Sequence, residues 1–271
     1  MDCLCHSGGS PCGLLGEPRG EYVLRAVVPF GVPVMKLHII GKYGPYPKRG
    51  KGTSSYLVEA EGKRILLDCG AGAASFLGEE AAGLDCVVLS HLHPDHICDL
   101  LLLDQAIRMQ APGRRVDLYL PQVAGSVHGL LRSLEGFSPI PVEGECSFDR
   151  KELVLRFWPL THPVPSYGVS LEAGGRRLAY TGDTTLDSRI VKLLAGADAA
   201  LMDAAFTRET LPPNPAHLWA EQCGRYAREA GVGRLLLSHI HPLADEAVVE
   251  AEAAEAFPGA QVVREGACYT I

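Results

Sequence analysis

An α/β fold, with sheets at its centre and helices outside, is what this sequence predicts, and three observations predict it. From residue 35 onward, short runs rich in Val, Ile, Leu, Tyr and Phe alternate with amphipathic segments over short connections. Glu61-Gly62 and Gly174-Gly175 supply hairpin turns between neighbouring runs. No linker or low-complexity stretch divides this body, so residues 35–271 are expected to form a single domain.

Strands are expected at 35–40, where Met35-Lys-Leu-His-Ile-Ile ends in glycine, and at 55–60 and 64–68 on either side of the first hairpin turn. Further strands fall at 86–90, 115–120, 152–159, 167–172, 176–181, 198–202, 233–238 and 261–265. Helices fall near 96–110, 121–134, 186–195, 217–230 and 244–256. In the fourth of these, Leu218, Cys223 and Tyr226 lie within a polar surround that includes Glu221, Arg225 and Arg228, which gives one buried stripe.

Composition limits the classes open to the chain. Of its 271 residues 47% are hydrophobic, which disfavours disorder, and no uncharged apolar run approaches the ~18 residues of a membrane span. A net charge of −7 excludes a general affinity for nucleic acid, though a local basic patch can still hold a phosphate. Nine cysteines without paired spacing point to a reducing cytoplasm. Residues 1–34 read as a leader or a misassigned N-terminal extension, with Met35 as the expected start. There Cys3, Cys5, His6 and Cys12 match no standard zinc spacing.

Four apolar runs end in a histidine or an aspartate. Cys86-Val-Val-Leu-Ser90 leads into His91-Leu-His93-Pro-Asp95-His96, and Leu155-Arg-Phe-Trp-Pro-Leu160 into Thr161-His162. Arg177-Leu-Ala-Tyr-Thr-Gly182 leads into Asp183, and Arg234-Leu-Leu-Leu-Ser238 into His239. Loops at strand ends are where rigid scaffolds present reactive groups. Residues two apart in an extended segment share a side, so His91 and His93 can hold one ion together. The turn at Pro94 sends Asp95 and His96 elsewhere, toward a second ion. Imidazole and carboxylate suit Zn2+, and also Mn2+ or Fe2+. No packing demand explains so many polar groups in six residues. By contrast, His38, His128 and His241 read as packed or surface residues.

His-x-His-x-Asp-His at 91–96, followed by His162, Asp183 and His239, resembles the metallo-β-lactamase superfamily from Met35 to the end of the chain. The resemblance implies an αββα four-layer sandwich of two similar halves. It also implies two divalent ions, one held by His91, His93, His162 and Asp183 and the other by Asp95, His96, Asp183 and His239. Ile65-Leu-Leu-Asp68 matches the family's early strand, whose aspartate supports the metal ligands from behind.

Fold membership does not name a substrate. Leu201-Met-Asp203-Ala-Ala-Phe206 and His217-Leu-Trp-Ala-Glu-Gln222 resemble elements of the ribonuclease Z group, in which an extra histidine contacts the scissile phosphate. The catalytic residues implied are Asp95, which helps orient or deprotonate water, and His217, held by Asp203. The long arm that grips transfer RNA is missing, because only 21 positions separate His162 from Asp183. The expected function is therefore phosphodiester hydrolysis on cyclic nucleotides, cyclic phosphates or short oligonucleotides by a compact ribonuclease Z-like protein. Long-arm tRNA binding and membrane partners are not expected; the superfamily often forms dimers, so the resemblance allows a homodimer, while the sequence itself does not give the oligomeric state. Lys48 and Arg49, with Tyr43 or Tyr46, form a candidate substrate loop. Two alternatives remain: thioester or lactone hydrolysis at the same ions, and a nonenzymatic metal-dependent binding module.

Overall fold

The computed structural model describes residues 34–271; the expected leader, with Cys3, Cys5, His6 and Cys12, lies outside the described residues apart from Val34. In chain order the first half comprises β1 (Lys36–Gly41), β2 (Ser55–Ala60), β3 (Lys63–Cys69), α1 (Ala73–Leu77), β4 (Cys86–Val88), α2 (Pro94–Ile97), α3 (Leu100–Gln110), β5 (Val116–Pro121), α4 (Ser126–Arg132) and β6 (Phe137–Val142). The second comprises β7 (Cys146–Asp149), β8 (Leu153–Leu160), β9 (Ser166–Ala173), β10 (Arg176–Tyr180), α5 (Arg189–Leu194), β11 (Ala199–Asp203), α6 (Ala220–Ala230), β12 (Leu235–Ser238), α7 (Glu246–Ala256) and β13 (Gln261–Val262). A last strand, β14 (Cys268–Thr270), returns to the first sheet beside β1.

The two seven-stranded sheets run β14-β1-β2-β3-β4-β5-β6 and β13-β12-β11-β10-β9-β8-β7. Within them β3 to β6 are parallel, as are β10 to β13, and the remaining pairs are antiparallel. Alternation along β3 shows how the layers arise. Ile65 and Leu67 face a core between the sheets, where they meet Leu155, Phe157, Val169, Leu178 and Leu201, while Leu66 faces Leu77, Leu103 and Ile107 on the helices outside. On the other flank Met202 and Leu237 pack against Ile190, Leu193, Cys223 and Val249. Strands covered on both faces need apolar residues at every position, which is why β11 and β12 read as unbroken runs. The result is the αββα sandwich.

Several elements depart from expectation. The helix at 96–110 is broken, because Asp99 turns its carboxylate to accept from the N–H groups of Gly72 and Ala74 at 3.0 Å each. β6 escaped notice because Phe-Ser-Pro-Ile-Pro-Val carries two prolines, which a strand tolerates only at a sheet edge, where β6 lies. β7 and β14 are also edge strands, short and half exposed, and α1 has only five residues. The strand expected at 261–265 pairs only over Gln261–Val262. The helices expected at 121–134 and 186–195 shrink to α4 and α5, and α6 begins at Ala220, so His217 stands in the preceding loop. Both hairpin turns form as expected, with left-handed backbone at Glu61-Gly62 and at Gly174-Gly175.

Leu201, wholly buried between the sheets, is expected to lose about 2–5 kcal/mol of stability as Leu201→Ala. Leu102→Ala, at a side chain 62% exposed on α3, should shift stability by about 0.5 kcal/mol or less. Urea unfolding of the two variants checks the contrast.

Candidate metal centre

The parallel strands deliver their carboxyl ends to one edge of the sandwich, where α/β proteins place ligands. β3 ends on Asp68 and Cys69, β4 leads to His91, β10 to Asp183 and β12 to His239, and β11 ends on Asp203. β8 brings His162 to the same place. Pro94 opens α2 directly after the extended His93, so Asp95 and His96 sit in the first helical turn while His91 and His93 precede it.

Seven side chains converge in two sets that share Asp183, and a third group of donors joins Asp183 and His239 to Asp203 and His217. In the first, His93 Nδ1 lies 3.0 Å from His91 Nε2 and 3.2 Å from His162 Nε2, with Asp183 completing the set. In the second, Asp183 Oδ2 lies 3.3 Å from His96 Nε2 and 3.2 Å from His239 Nε2, and Asp95 Oδ2 lies 3.3 Å from His239 Nε2. The same Asp183 oxygen is 3.5 Å from His91 Nε2, which joins the sets.

These donors fit divalent ions. Ligands of a tetrahedral zinc with bonds of about 2.0–2.1 Å stand about 3.3 Å apart, close to the separations seen. His96 Nε2 and Asp183 Oδ1 are buried without a hydrogen-bond partner, as expected of atoms reserved for a metal. The tautomers agree as well. His96 Nδ1 donates to Asp68 Oδ2 at 2.7 Å and His162 Nδ1 to the Ala216 carbonyl at 3.0 Å, which leaves each Nε2 lone pair facing the centre. His91 Nδ1 lies 3.1 Å from Ser90 Oγ, which donates onward to Asp68 at 2.8 Å.

Asp68 therefore orients two histidines. It also accepts from the Ser90 N–H at 2.7 Å and from the Tyr180 hydroxyl at 2.5 Å. Asp203 is the corresponding group at the opposite side: its Oδ2 meets His217 Nδ1 at 2.9 Å and the Thr184 N–H at 3.2 Å, and its Oδ1 lies 3.5 Å from His239 Nδ1. The His217 ring stacks on His239, with centroids 4.8 Å apart and planes 15° apart. Asp68 and His239 have φ of +55° and +52°, a conformation non-glycine residues hold only when surrounding contacts enforce it.

Electrostatics divides the two sets. Burial, reinforced by neighbouring imidazoles, lowers the pKa of His91, and burial lowers those of His93 and His162. Around the second set burial opposes charge, yet Asp183 and Asp68 push His96 up to about 10, and Asp183 with Asp203 raises His239. Asp183, although buried, is held well below the usual carboxylate range by His239, His96 and His91. For His217 burial also favours the neutral ring, but the Asp203 carboxylate prevails and its pKa is raised.

Not all the expected groups gather here. Lys48 and Arg49 lie on an exposed loop outside the cluster, and their side chains make no hydrogen bond or ion pair among the described residues. Tyr43 is unavailable to a substrate, since it is buried and its hydroxyl donates to Glu246 at 2.6 Å; Lys48 Nζ sits 5.8 Å from its ring centre. Tyr46 remains exposed, edge-on to His241.

Sequence reasoning missed the parts that hold the ligands. Leu89-Ser90-His91 and Leu237-Ser238-His239 repeat one tripeptide, a signal that could have identified both serines; Ser238 Oγ lies 2.7 Å from the Tyr56 hydroxyl. No pattern marked Gly44. Its N–H donates to the Ile240 carbonyl at 3.2 Å, and a Cβ there would stand 2.0 Å from His239 Nε2. The buried Lys42 fastens this loop, donating to Glu246 at 2.7 Å and to the Val263 carbonyl at 2.8 Å.

A sandwich whose strand ends converge on two such donor sets defines a metallo-hydrolase-type protein. A family profile described as a beta-lactamase superfamily domain matches residues 63–240, and the chain belongs to the metallo-β-lactamase superfamily. It is 29% identical over 217 residues to the probable metallo-hydrolase YhfI of Bacillus subtilis, covering 76% of this chain and 87% of that one. The crystal structure of YhfI superposes with a TM-score of 0.79 at 25% identity, covering 88% of this chain and all of that one. A ribonuclease Z of Metallosphaera sedula is 27% identical over 260 residues, covering 76% of this chain and 88% of that one. The crystal structure of a diphosphatase from the PhnP family shares the fold with a TM-score of 0.68 at 19% identity, covering 87% and 97% of the two chains.

Gly44→Ala is expected to push the His239 ring aside and to lower the divalent metal bound per chain, measured by elemental analysis. Unchanged loading would show that the loop yields instead.

Proposed function

We propose that the chain is a phosphodiesterase using two divalent cations, acting on cyclic nucleotides, cyclic phosphates or short oligonucleotides. The observation that carries this reading is the His217-Asp203 pair beside the two donor sets. A thiolate leaving a thioester needs no proton donor at the ions, whereas an alkoxide leaving phosphorus does. The relatives described as ribonuclease Z and as a diphosphatase support a phosphorus centre.

His91, His93, His162 and Asp183 would hold the first ion, and Asp95, His96, Asp183 and His239 the second. Bound Zn2+, or Mn2+ or Fe2+, supplies Lewis acidity and makes water a nucleophile near neutral pH. Asp95 accepts a proton at the carboxylate that faces His239. Asp203 holds His217 with one nitrogen engaged and favours its protonated form, so the ring donates a proton to the leaving oxygen and stabilises charge on the phosphate. Asp68 keeps His96 and His91 in the tautomers that ligate. Lys48 and Arg49, exposed and without a hydrogen bond or ion pair among the described residues, suit a phosphate. Between His162 and Asp183 stand only β9, β10 and their turn, which suits small substrates. The free thiols of Cys69, Cys86 and Cys223 fit a cytoplasmic setting, and no helix among the described residues is long and apolar enough to cross a membrane.

Metal-loaded protein is expected to hydrolyse bis(p-nitrophenyl) phosphate and cyclic nucleotides; turnover of glutathione thioesters or lactones alone would overturn the assignment. His217→Ala should lower kcat by about 10²–10⁴-fold with metal content retained. The pH profile supplies a second check. A general acid works while protonated, so kcat falls as pH rises through the His217 pKa. Removing the carboxylate charge in Asp203→Asn lowers that pKa, and the alkaline limb should move to lower pH. A limb that stays in place would remove His217 from the role of acid.

A further inference from the structure

β11 ends on Asp203 and α6 begins at Ala220, and the loop between them brings two neighbouring residues to the centre. The Ala216 carbonyl accepts from His162 Nδ1 at 3.0 Å, and His217 Nδ1 meets Asp203 at 2.9 Å. No residue from 207 to 218 belongs to a helix or strand, so regular structure does not hold this pair in place. The loop is closed at its neck, where the Phe206 N–H donates to the Leu218 carbonyl at 3.3 Å and the Ala220 N–H to the Phe206 carbonyl at 2.9 Å.

A second anchor comes from α7. Val249, Glu252, Ala253 and Ala256 form its buried stripe, at the spacing of a core-facing helix. Glu252 is the charged member of that stripe and only 8% exposed. A carboxylate in such a position costs stability unless hydrogen bonds satisfy it, and two backbone amides do so here. Both its oxygens stand 3.0 Å from the Arg208 nitrogen, and Oε1 also accepts from the Glu221 N–H at 3.3 Å. Arg208 lies near the start of the loop and Glu221 in the first turn of α6, so one carboxylate fastens both ends. α6 has no side-chain cap of its own, and Glu252 takes that place from the neighbouring helix. Gly224 permits the close approach: a Cβ there would stand 2.4 Å from the Ala253 carbonyl. Outside this anchor the Arg208 side chain pairs with Glu221 and Glu255.

We infer that Glu252 is a positioning residue for His217, acting through the loop rather than at the centre. This role rests on the phosphodiesterase reading, in which His217 is the acid. The bond to Asp203 and the stack on His239 hold the ring only where the backbone delivers it, and the loop ends set that backbone. The apolar alternative at position 252 would suit the stripe better, yet it would leave the amides of Arg208 and Glu221 without an acceptor.

The test uses the full chain, metal-loaded, with two diesters. Adenosine 2′,3′-cyclic phosphate expels an alkoxide that needs a proton, whereas bis(p-nitrophenyl) phosphate expels a phenolate that departs without one. Glu252→Ala is expected to lower kcat on the cyclic phosphate by about tenfold to 10²-fold, the scale of a catalytic group misplaced by about an ångström. The loss on bis(p-nitrophenyl) phosphate should be smaller. Glu252→Gln, whose side-chain carbonyl still accepts from both amides, should recover kcat to within about threefold of the unaltered protein. Glu252→Asp, one methylene shorter, should fall between them and serves in place of Glu252→Ala if that variant does not fold. Combined with His217→Ala, none of these substitutions should lower kcat further, because groups that act as a unit are not additive. Unchanged kcat in Glu252→Ala, equal losses on the two diesters, a Gln variant as slow as the Ala variant, or the same loss with and without His217 would each overturn the inference while leaving phosphodiester hydrolysis intact. Failure of the unaltered protein to cleave either diester would overturn the underlying reading and the inference with it.

Discussion

One carboxylate oxygen organises this molecule's functional end. Asp183 Oδ2 lies within 3.5 Å of nitrogens from His91, His96 and His239, carried by loops after strands in both sheets. A buried carboxylate needs compensating positive charge, and without it this one would favour protonation or displacement. The imidazoles hold its pKa down, and a shared oxygen at their centre is the arrangement that bridging between two cations requires. The sandwich must bring two sheets into register at that edge for the arrangement to exist. Gly182 is part of that constraint: with φ of +57° it lets the chain turn beside Ser90, whose Cβ would lie 2.7 Å from any Cβ added there.

Behind the donors stand two aspartates with parallel duties. Asp68, at the end of a strand in the first sheet, fixes His96 directly and His91 through Ser90; Asp203, at the end of a strand in the second, fixes His217 directly and borders His239. Each is fully buried and accepts several hydrogen bonds, which compensates the carboxylate for its lost hydration. This division places ligand orientation in the sheets, apart from the exposed loop that carries Lys48, Arg49 and Tyr46.

Much of this was legible in the sequence. The strand-end histidines and aspartates could be read because a polar residue ending an apolar run has no packing explanation, and both hairpins could be read because left-handed backbone demands glycine at the turn. The misses have physical causes. β6 carries prolines that only its edge position permits, and Asp99 breaks a helix through hydrogen bonds to residues 25 and 27 positions earlier. Gly44, Lys42 and Glu246 act across about 200 positions of chain, and no local pattern encodes such pairing. The engagement of Tyr43 is illegible for the same reason, since its hydroxyl donates to that distant glutamate.

The central claim, two cations joined through Asp183, is tested most directly by X-ray absorption on zinc-loaded protein. The account predicts nitrogen and oxygen donors at about 2.0–2.2 Å with no sulfur, and a metal-to-metal scattering path of about 3.5–4 Å. A spectrum with thiolate ligation, or with full loading and no metal-to-metal path, would contradict it.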